Sequence, residues 1–415
     1  MYSRFFTTFA LRVCSIGLVF ISSVILARVS KPDDFGVYSL ILSWAGVISL
    51  LWDWGCNTYF FKSISKFNIL GFSSAKTRVI ARLIIIKAKI LTTTIPFLIP
   101  VIVFLDLPIL SIFVIALLTT IQLSIFCFNR AVNRQKSALI QYEILPNTIR
   151  IVMLTILFFA FGSIDLSHIL VIQTCALSIP ILFCGLNCRY SSIFLPLKKI
   201  FFHRSTMKYI KNLVPIATVN VLLYFHSQLD ILLLGFFDAD SADIAGYAIS
   251  QRVSMIVGIV ASVATLVIPY KLNTTLTRST SLEAINYTLK TTVVISLLVV
   301  AQTSFIIYFS HDILMLWGEN YTNYDDLLKI LVLGQSFVVS CCIVGHLFFL
   351  SGKQKYNSWI EFSGFFLNVA LGGVLYFRYG IYGCAYATLI TFSLMSLLRV
   401  FLLIRYRGYF KNEAV

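Results

Sequence analysis

The sequence predicts an all-α integral membrane protein with twelve transmembrane helices in two six-helix lobes. Three observations predict it. Of 415 residues, 59% are hydrophobic and 12% charged, against about 25% charged in an ordinary soluble protein. So few charges cannot clothe two or three water-soluble domains, and 36 Phe and 20 Tyr require a bilayer as solvent. Apolar stretches of about 20 residues, the length that crosses hydrocarbon, recur along the whole chain. The charge of the connections between them changes sign at every crossing.

The apolar stretches run over 8–28, 36–56, 83–105, 107–128, 140–162, 167–187, 212–236, 244–270, 288–309, 326–350, 357–377 and 382–404. The first ends in Leu26-Ala27-Arg28, a poor cleavage site, and is read as a retained helix rather than a signal peptide. Connections on one side carry 23 Lys and Arg, among them Lys62, Lys66, Arg130, Arg134, Arg189, Lys198, Lys199, Lys271 and Arg405, against only Glu283 and Glu413. Connections on the other side carry Arg28, Lys31, Lys329 and Arg378 against eleven acids, including Asp33, Asp34, Asp106, Asp165, Asp238, Asp312 and Glu319. Basic loops stay in the cytoplasm, so both termini are placed there. The net charge of +16 is then an orienting charge rather than a nucleic-acid footprint.

The basic connection at 188–211 divides the chain into lobes 1–200 and 201–415, six spans each. Equal, even halves suggest a duplication about an axis along the membrane normal. Asp34-Phe35-Gly36-Val37-Tyr38 opening the second span echoes Asp243-Ile244-Ala245-Gly246-Tyr247 opening the eighth. Nine Cys contain no CxxC pair and read as small hydrophobes, not metal ligands or disulfides. No GxxxxGK[ST] loop is present, so the chain alone is no ATP-driven pump, and no cofactor is implied.

Ten charges remain inside the spans: Arg12, Asp53, Lys87, Lys89, Glu143, Arg150, Asp230, Arg252, Glu361 and Arg399. Each costs about 2.5–3.5 kcal/mol at the bilayer centre unless it meets water or a partner. Lys87, Lys89, Glu361 and Arg399 lie close enough to the cytoplasmic ends to snorkel. Asp53 and Glu143 are too short to do so and call for internal partners. Glu143 and Arg150, seven apart, share a helix face and could neutralise one another. His226 and Asp230, four apart, share another face and form a candidate proton or cation relay. Arg252 has no acid on its own helix, which makes Asp230 its expected partner. The intramembrane set leans positive, and spare arginine suits phosphate oxygens, so the expected substrate is an anion.

Several segments together resemble a known family. They are Pro32-Asp33-Asp34-Phe35-Gly36-Val37-Tyr38, Asp53-Trp54-Gly55, Asp230-Ile231-Leu232-Leu233-Leu234-Gly235, Gly246-Tyr247 through Arg252, Trp317-Gly318-Glu319-Asn320-Tyr321 and Tyr379-Gly380-Ile381-Tyr382-Gly383. They resemble the O-antigen flippases (Wzx-like polysaccharide transporters) of the multidrug/oligosaccharidyl-lipid/polysaccharide exporter superfamily. The resemblance implies a MATE-like, V-shaped pair of lobes in the bacterial inner membrane. It implies a substrate, an oligosaccharide linked by diphosphate to undecaprenol, moved to the periplasmic leaflet rather than chemically altered. A coupling cation (H+ or Na+), membrane lipids, an O-antigen polymerase and a chain-length regulator are the implied partners. Arg12 and Arg252 are carried over as a cationic cavity, Arg150 is added on depth, and Asp230, His226 and Glu143 are assigned to ion coupling or charge pairing. The alternatives are an O-antigen polymerase or ligase, disfavoured by the short acidic outer loops, and a drug/cation antiporter of the same fold.

Overall fold

A computed structural model describes residues 2–59, 61, 64, 79, 82–92, 94, 108–132, 134–162, 164–187, 206–278, 281–351 and 353–405. Most of the basic connections at 62–82 and 188–211, and the second half of the expected third span, lie outside the described residues. The described residues are almost wholly helical, with a single isolated β-bridge between Ser30 and Ile164. Ten of their helices are long and apolar enough to cross a membrane.

In the first part of the chain α1 covers Tyr2–Val29 and α2 Pro32–Asp53, with Pro32 opening the latter, where its missing N–H costs nothing. Residues 82–92 are helical and are called α3. Next come α4, Ile109–Ala131, and α5, which runs as Gln135–Leu139, a π-turn Ile140–Ile144 and Leu145–Phe161; α6 is Leu166–Asn187. The 31-residue α7, Thr206–Phe236, contains the expected seventh span. Then follow α8 (Ser241–Ser254, a 3-10 turn, then Gly258–Arg278) and α9 (Ser281–Tyr308). Beyond these lie α10 (Asp325–Ser340, continuing as Cys342–Leu350), α11 (Gln354–Tyr379) and α12 (Ile381–Arg405).

Contacts divide the chain into two units, Met1–Tyr224 and Phe225–Val415. The division falls within α7 because the start of that helix belongs to the first unit's core. Leu213 packs with Cys56, Ile86, Ile90 and Ala131, and the Tyr224 ring lies against Gly46. In the first unit α2 packs on α4, α1 on α5, and α6 on both α4 and α5; in the second, α10 and α11 both pack on α12. α9 leaves Val293, Val294, Leu297, Leu298, Phe305 and Tyr308 exposed. Such a continuous apolar face suits lipid, not water. The chain is a multi-pass membrane protein.

The hairpin of α11 and α12 turns at Gly380, whose φ of 57° favours glycine. One turn on, a Cβ at Gly383 would strike the backbone of Leu375 and Tyr376. Backbone cannot swing aside as a side chain can, so Gly383→Ala is expected to lower stability by about 1–3 kcal/mol, as overpacking does. A fall in the thermal unfolding midpoint in detergent checks this; an unchanged midpoint would show that the hairpin yields freely.

Candidate functional site

In the first unit, charge concentrates where α1 meets α5. Pro146, at the second position of Leu145–Phe161, shapes this face. Its ring cannot tolerate a normal helical carbonyl four residues back, and it has no N–H to give. The helix therefore widens into the π-turn at Ile140–Ile144, where the Leu145 N–H reaches back five residues to the Ile140 carbonyl. The Gln122 side-chain amide donates to the Gln141 carbonyl at 3.3 Å, and Asn129 donates to the Gln141 side chain at 2.7 Å. π-turns of this kind concentrate at functional sites.

Glu143 within that turn forms an ion pair with Arg12 and accepts a hydrogen bond from Ser15, both on α1. The Asn147 amide donates to the Glu143 carbonyl at 2.6 Å. Arg150 donates to Asn147 Oδ1 at 3.1 Å and to Ser22 on α1 at 3.4 Å. Glu143 and Arg150 do share a face, the one turned to α1, but they do not neutralise each other. Arg150 forms no ion pair among the described residues, and its Nε is buried without a hydrogen-bond partner. A guanidinium with a buried, unmatched donor is left with a cost that an anion reaching it would relieve.

In the second unit the central feature is Asp230 on α7, only 3% exposed. The Tyr247 hydroxyl on α8 donates to Oδ2 at 2.7 Å, and the Thr388 hydroxyl on α12 lies 2.8 and 2.9 Å from the two oxygens. Asn368 on α11 donates to Thr388 at 3.2 Å. The partner expected for Asp230 was Arg252; neutral hydroxyls take that place, because Tyr247 and not Arg252 lies on the face of α8 turned to α7. Arg252, five residues past Tyr247, is half-buried and forms no ion pair with Asp230. His226, one turn before Asp230, stacks on Phe392 at 4.9 Å, and neither ring nitrogen finds a hydrogen-bond partner among the described residues. His226 and Asp230 thus both face α12, meeting Phe392 and Thr388, themselves four apart.

Three of the four charges expected to snorkel, Lys87, Glu361 and Arg399, are instead held in ion pairs, which corrects that expectation for them. Lys87 lies 2.6 Å from Asp53 and donates to Asn57 at 3.0 Å and Ser124 at 2.6 Å. Arg399, 6% exposed, pairs with Glu361 and donates to Asn357 at 3.1 Å. The units repeat one device: an acid and an asparagine four residues apart hold a base from the next helix. Inside a bilayer an ion pair costs less than a lone charge, so each pair pins its helices together. Asp53 meets the internal partner expected of it.

Tyr247 and Thr388 stand in segments whose pattern is visible in the sequence, yet as uncharged residues neither signals a role there. Asn368, like the buried amides Gln122, Asn129 and Asn147 of the first unit, carries no charge and so is not marked by the distribution of charge along the chain.

The family model described as "Polysaccharide biosynthesis protein" matches residues 4–272. No curated protein sequence matches the chain. Among solved structures, an inward-facing multidrug resistance MATE family transporter of the MOP superfamily superposes with a TM-score of 0.71 at 12% identity, covering 96% of each chain. The lipid II flippase MurJ in an inward closed conformation gives 0.60 at 15% identity, over 95% of this chain and 87% of that one. A MATE structure in the bent conformation gives 0.59 at 13% identity, over 96% and 94%. With its family model spanning most of the sequence and its fold that of these transporters, the chain belongs to the polysaccharide biosynthesis protein family.

Proposed function

We propose that the chain is a flippase for lipid-linked saccharides. It would move undecaprenyl-diphosphate-linked O-antigen repeat units from the cytoplasmic to the periplasmic leaflet of the bacterial inner membrane by alternating access, drawing on a cation gradient. The observation that carries this reading is Arg150: a partly buried intramembrane cation, uncompensated by any acid among the described residues, on the same helix face as Glu143, the partner of Arg12. A diphosphate supplies the oxygens such guanidinium groups bind bidentately. Arg252 is proposed as a further substrate-binding cation, in the second unit. The saccharide is then moved without exposing its hydroxyls to hydrocarbon, where each would be costly.

Asp230 is the coupling residue in this reading. It is a buried carboxylate held, among the described residues, by neutral donors, so a proton or Na+ taken up there changes its charge outright. An O-antigen polymerase and a chain-length regulator are the expected downstream partners.

The test is a deletion strain complemented with Arg12→Gln/Arg150→Gln. Surface O-antigen is expected to fall at least about tenfold, as the loss of a charge-assisted contact of ~1.4 kcal/mol already implies, while lipid-linked units accumulate facing the cytoplasm. Normal surface glycan would remove these arginines from the mechanism. Drug hypersensitivity of the deletion strain with normal glycan would favour a drug/cation antiporter, the reading that the multidrug transporter fold also accommodates.

A further inference from the structure

Arg12 is an open cation that is already occupied. Its side chain is 52% accessible and that of Glu143 is 15% accessible, yet the two are paired. Ser15 holds the second Glu143 oxygen, so the carboxylate offers Arg12 the same anionic oxygens that a phosphate would. The position of Glu143 is set by backbone rather than by chance of rotamer. Pro146 forces the π-turn, Gln122 fills the carbonyl that the turn frees, and Asn147 holds the Glu143 carbonyl. Arg150 stands on the same face without such an anion among the described residues.

We propose that Glu143 is an internal stand-in for the substrate's phosphate: it occupies Arg12 in the empty protein and is displaced when a polyprenyl diphosphate headgroup binds. The inference rests on the proposed headgroup role of Arg12 and Arg150. Arg150 attracts the headgroup first, and Arg12 is transferred from carboxylate to phosphate as the second contact. Because an internal competitor lowers apparent affinity by the fraction of sites it leaves open, Glu143 keeps binding reversible and keeps Arg12 neutralised while the protein returns empty. A weaker anion would not displace it.

The test uses the purified full chain in phosphatidylcholine nanodiscs with sugar-free undecaprenyl diphosphate as probe, binding being read by native mass spectrometry. Glu143→Gln is expected to bind the probe about fivefold or more tightly than wild type, within the usual range of coupling between two linked events. Glu143→Gln/Arg12→Gln is expected to lose that gain. Equal or weaker binding by Glu143→Gln overturns the inference, while wild-type binding leaves the headgroup reading standing. Failure of both proteins to bind defeats the headgroup reading itself, and this inference with it. Hydrogen exchange on the unmutated chain provides a measurement independent of any variant's folding. Amides of 139–147 are expected to exchange at a changed rate once the probe is bound, and unchanged exchange with demonstrated binding overturns the displacement. Phosphatidylglycerol at the same mole fraction is expected to leave that segment unaltered; an equal effect overturns the assignment to a diphosphate.

Discussion

Replacing Arg399 by leucine is expected to unfold the second unit at a markedly lower temperature, and replacing Glu361 by leucine at the same time is expected to restore most of the loss. Arg399 is 6% exposed and is held by Glu361 and Asn357. Removing only the base leaves Glu361 charged and without its counter-ion among packed helices, a change that typically costs about 3–5 kcal/mol. For a unit of this size the midpoint would fall by roughly 10 °C. Removing both charges takes away the attraction and the desolvation cost together, which is often neutral. Size-exclusion chromatography after stepwise heating in detergent reads the result. Equal losses in single and double variants would mean that leucine packing, not the charge, decides stability there. The same pair of measurements on Lys87 and Asp53 is expected to agree, since Asp53 is buried and Lys87 is partly buried against it. Arg12→Leu is expected to do far less, because its half-exposed side chain places the Glu143 pair near the range of surface ion pairs, about 0–1 kcal/mol.

These pairs also mark where the sequence was legible and where it was not. Hydropathy and the alternation of basic and acidic connections locate apolar stretches that ten membrane-length helices match. They do so because a bilayer imposes length and sidedness on any helix, whatever it packs against. Depth alone misjudged Lys87, Glu361 and Arg399. It measures distance along one helix and ignores the neighbour that offers a carboxylate or an amide before the side chain needs to reach water. Helical periodicity correctly set His226 and Asp230 on one face and Glu143 and Arg150 on another. It could not select partners, because Tyr247, Thr388, Ser22 and Asn147 lie on other helices or carry no charge. The π-turn had a visible cause in Pro146, inside an apolar stretch. Its consequence, a glutamate turned to Arg12 beside Gln122, depends on how three helices meet.

Asp230→Asn is expected to abolish transport while leaving the second unit folded. The carboxylate accepts from Tyr247 and Thr388, and Asn368 supports Thr388. An asparagine keeps one acceptor oxygen for those hydroxyls and nearly the same shape, so the packing of α7 against α8 and α12 survives. What disappears is the negative charge. If a proton or Na+ drives the cycle through this site, its uptake no longer changes anything, and surface O-antigen in a complemented deletion strain should fall more than about tenfold, the loss of a step worth ~1.4 kcal/mol or more. Asp230→Ala separates the two roles of the residue. It leaves the two hydroxyls of Tyr247 and Thr388 without their acceptor, at about 1–3 kcal/mol for each group left unsatisfied, and should lower the folded yield as well as transport. Full transport by Asp230→Asn would show that Asp230 serves only as an acceptor for its neighbours, and coupling would have to be sought among other intramembrane carboxylates. Loss of transport with a normal thermal midpoint, alongside a destabilised Asp230→Ala, would instead tie the function to the charge itself: a carboxylate kept deep in the membrane with neutral donors is costly to bury and is of use chiefly when its charge can be switched.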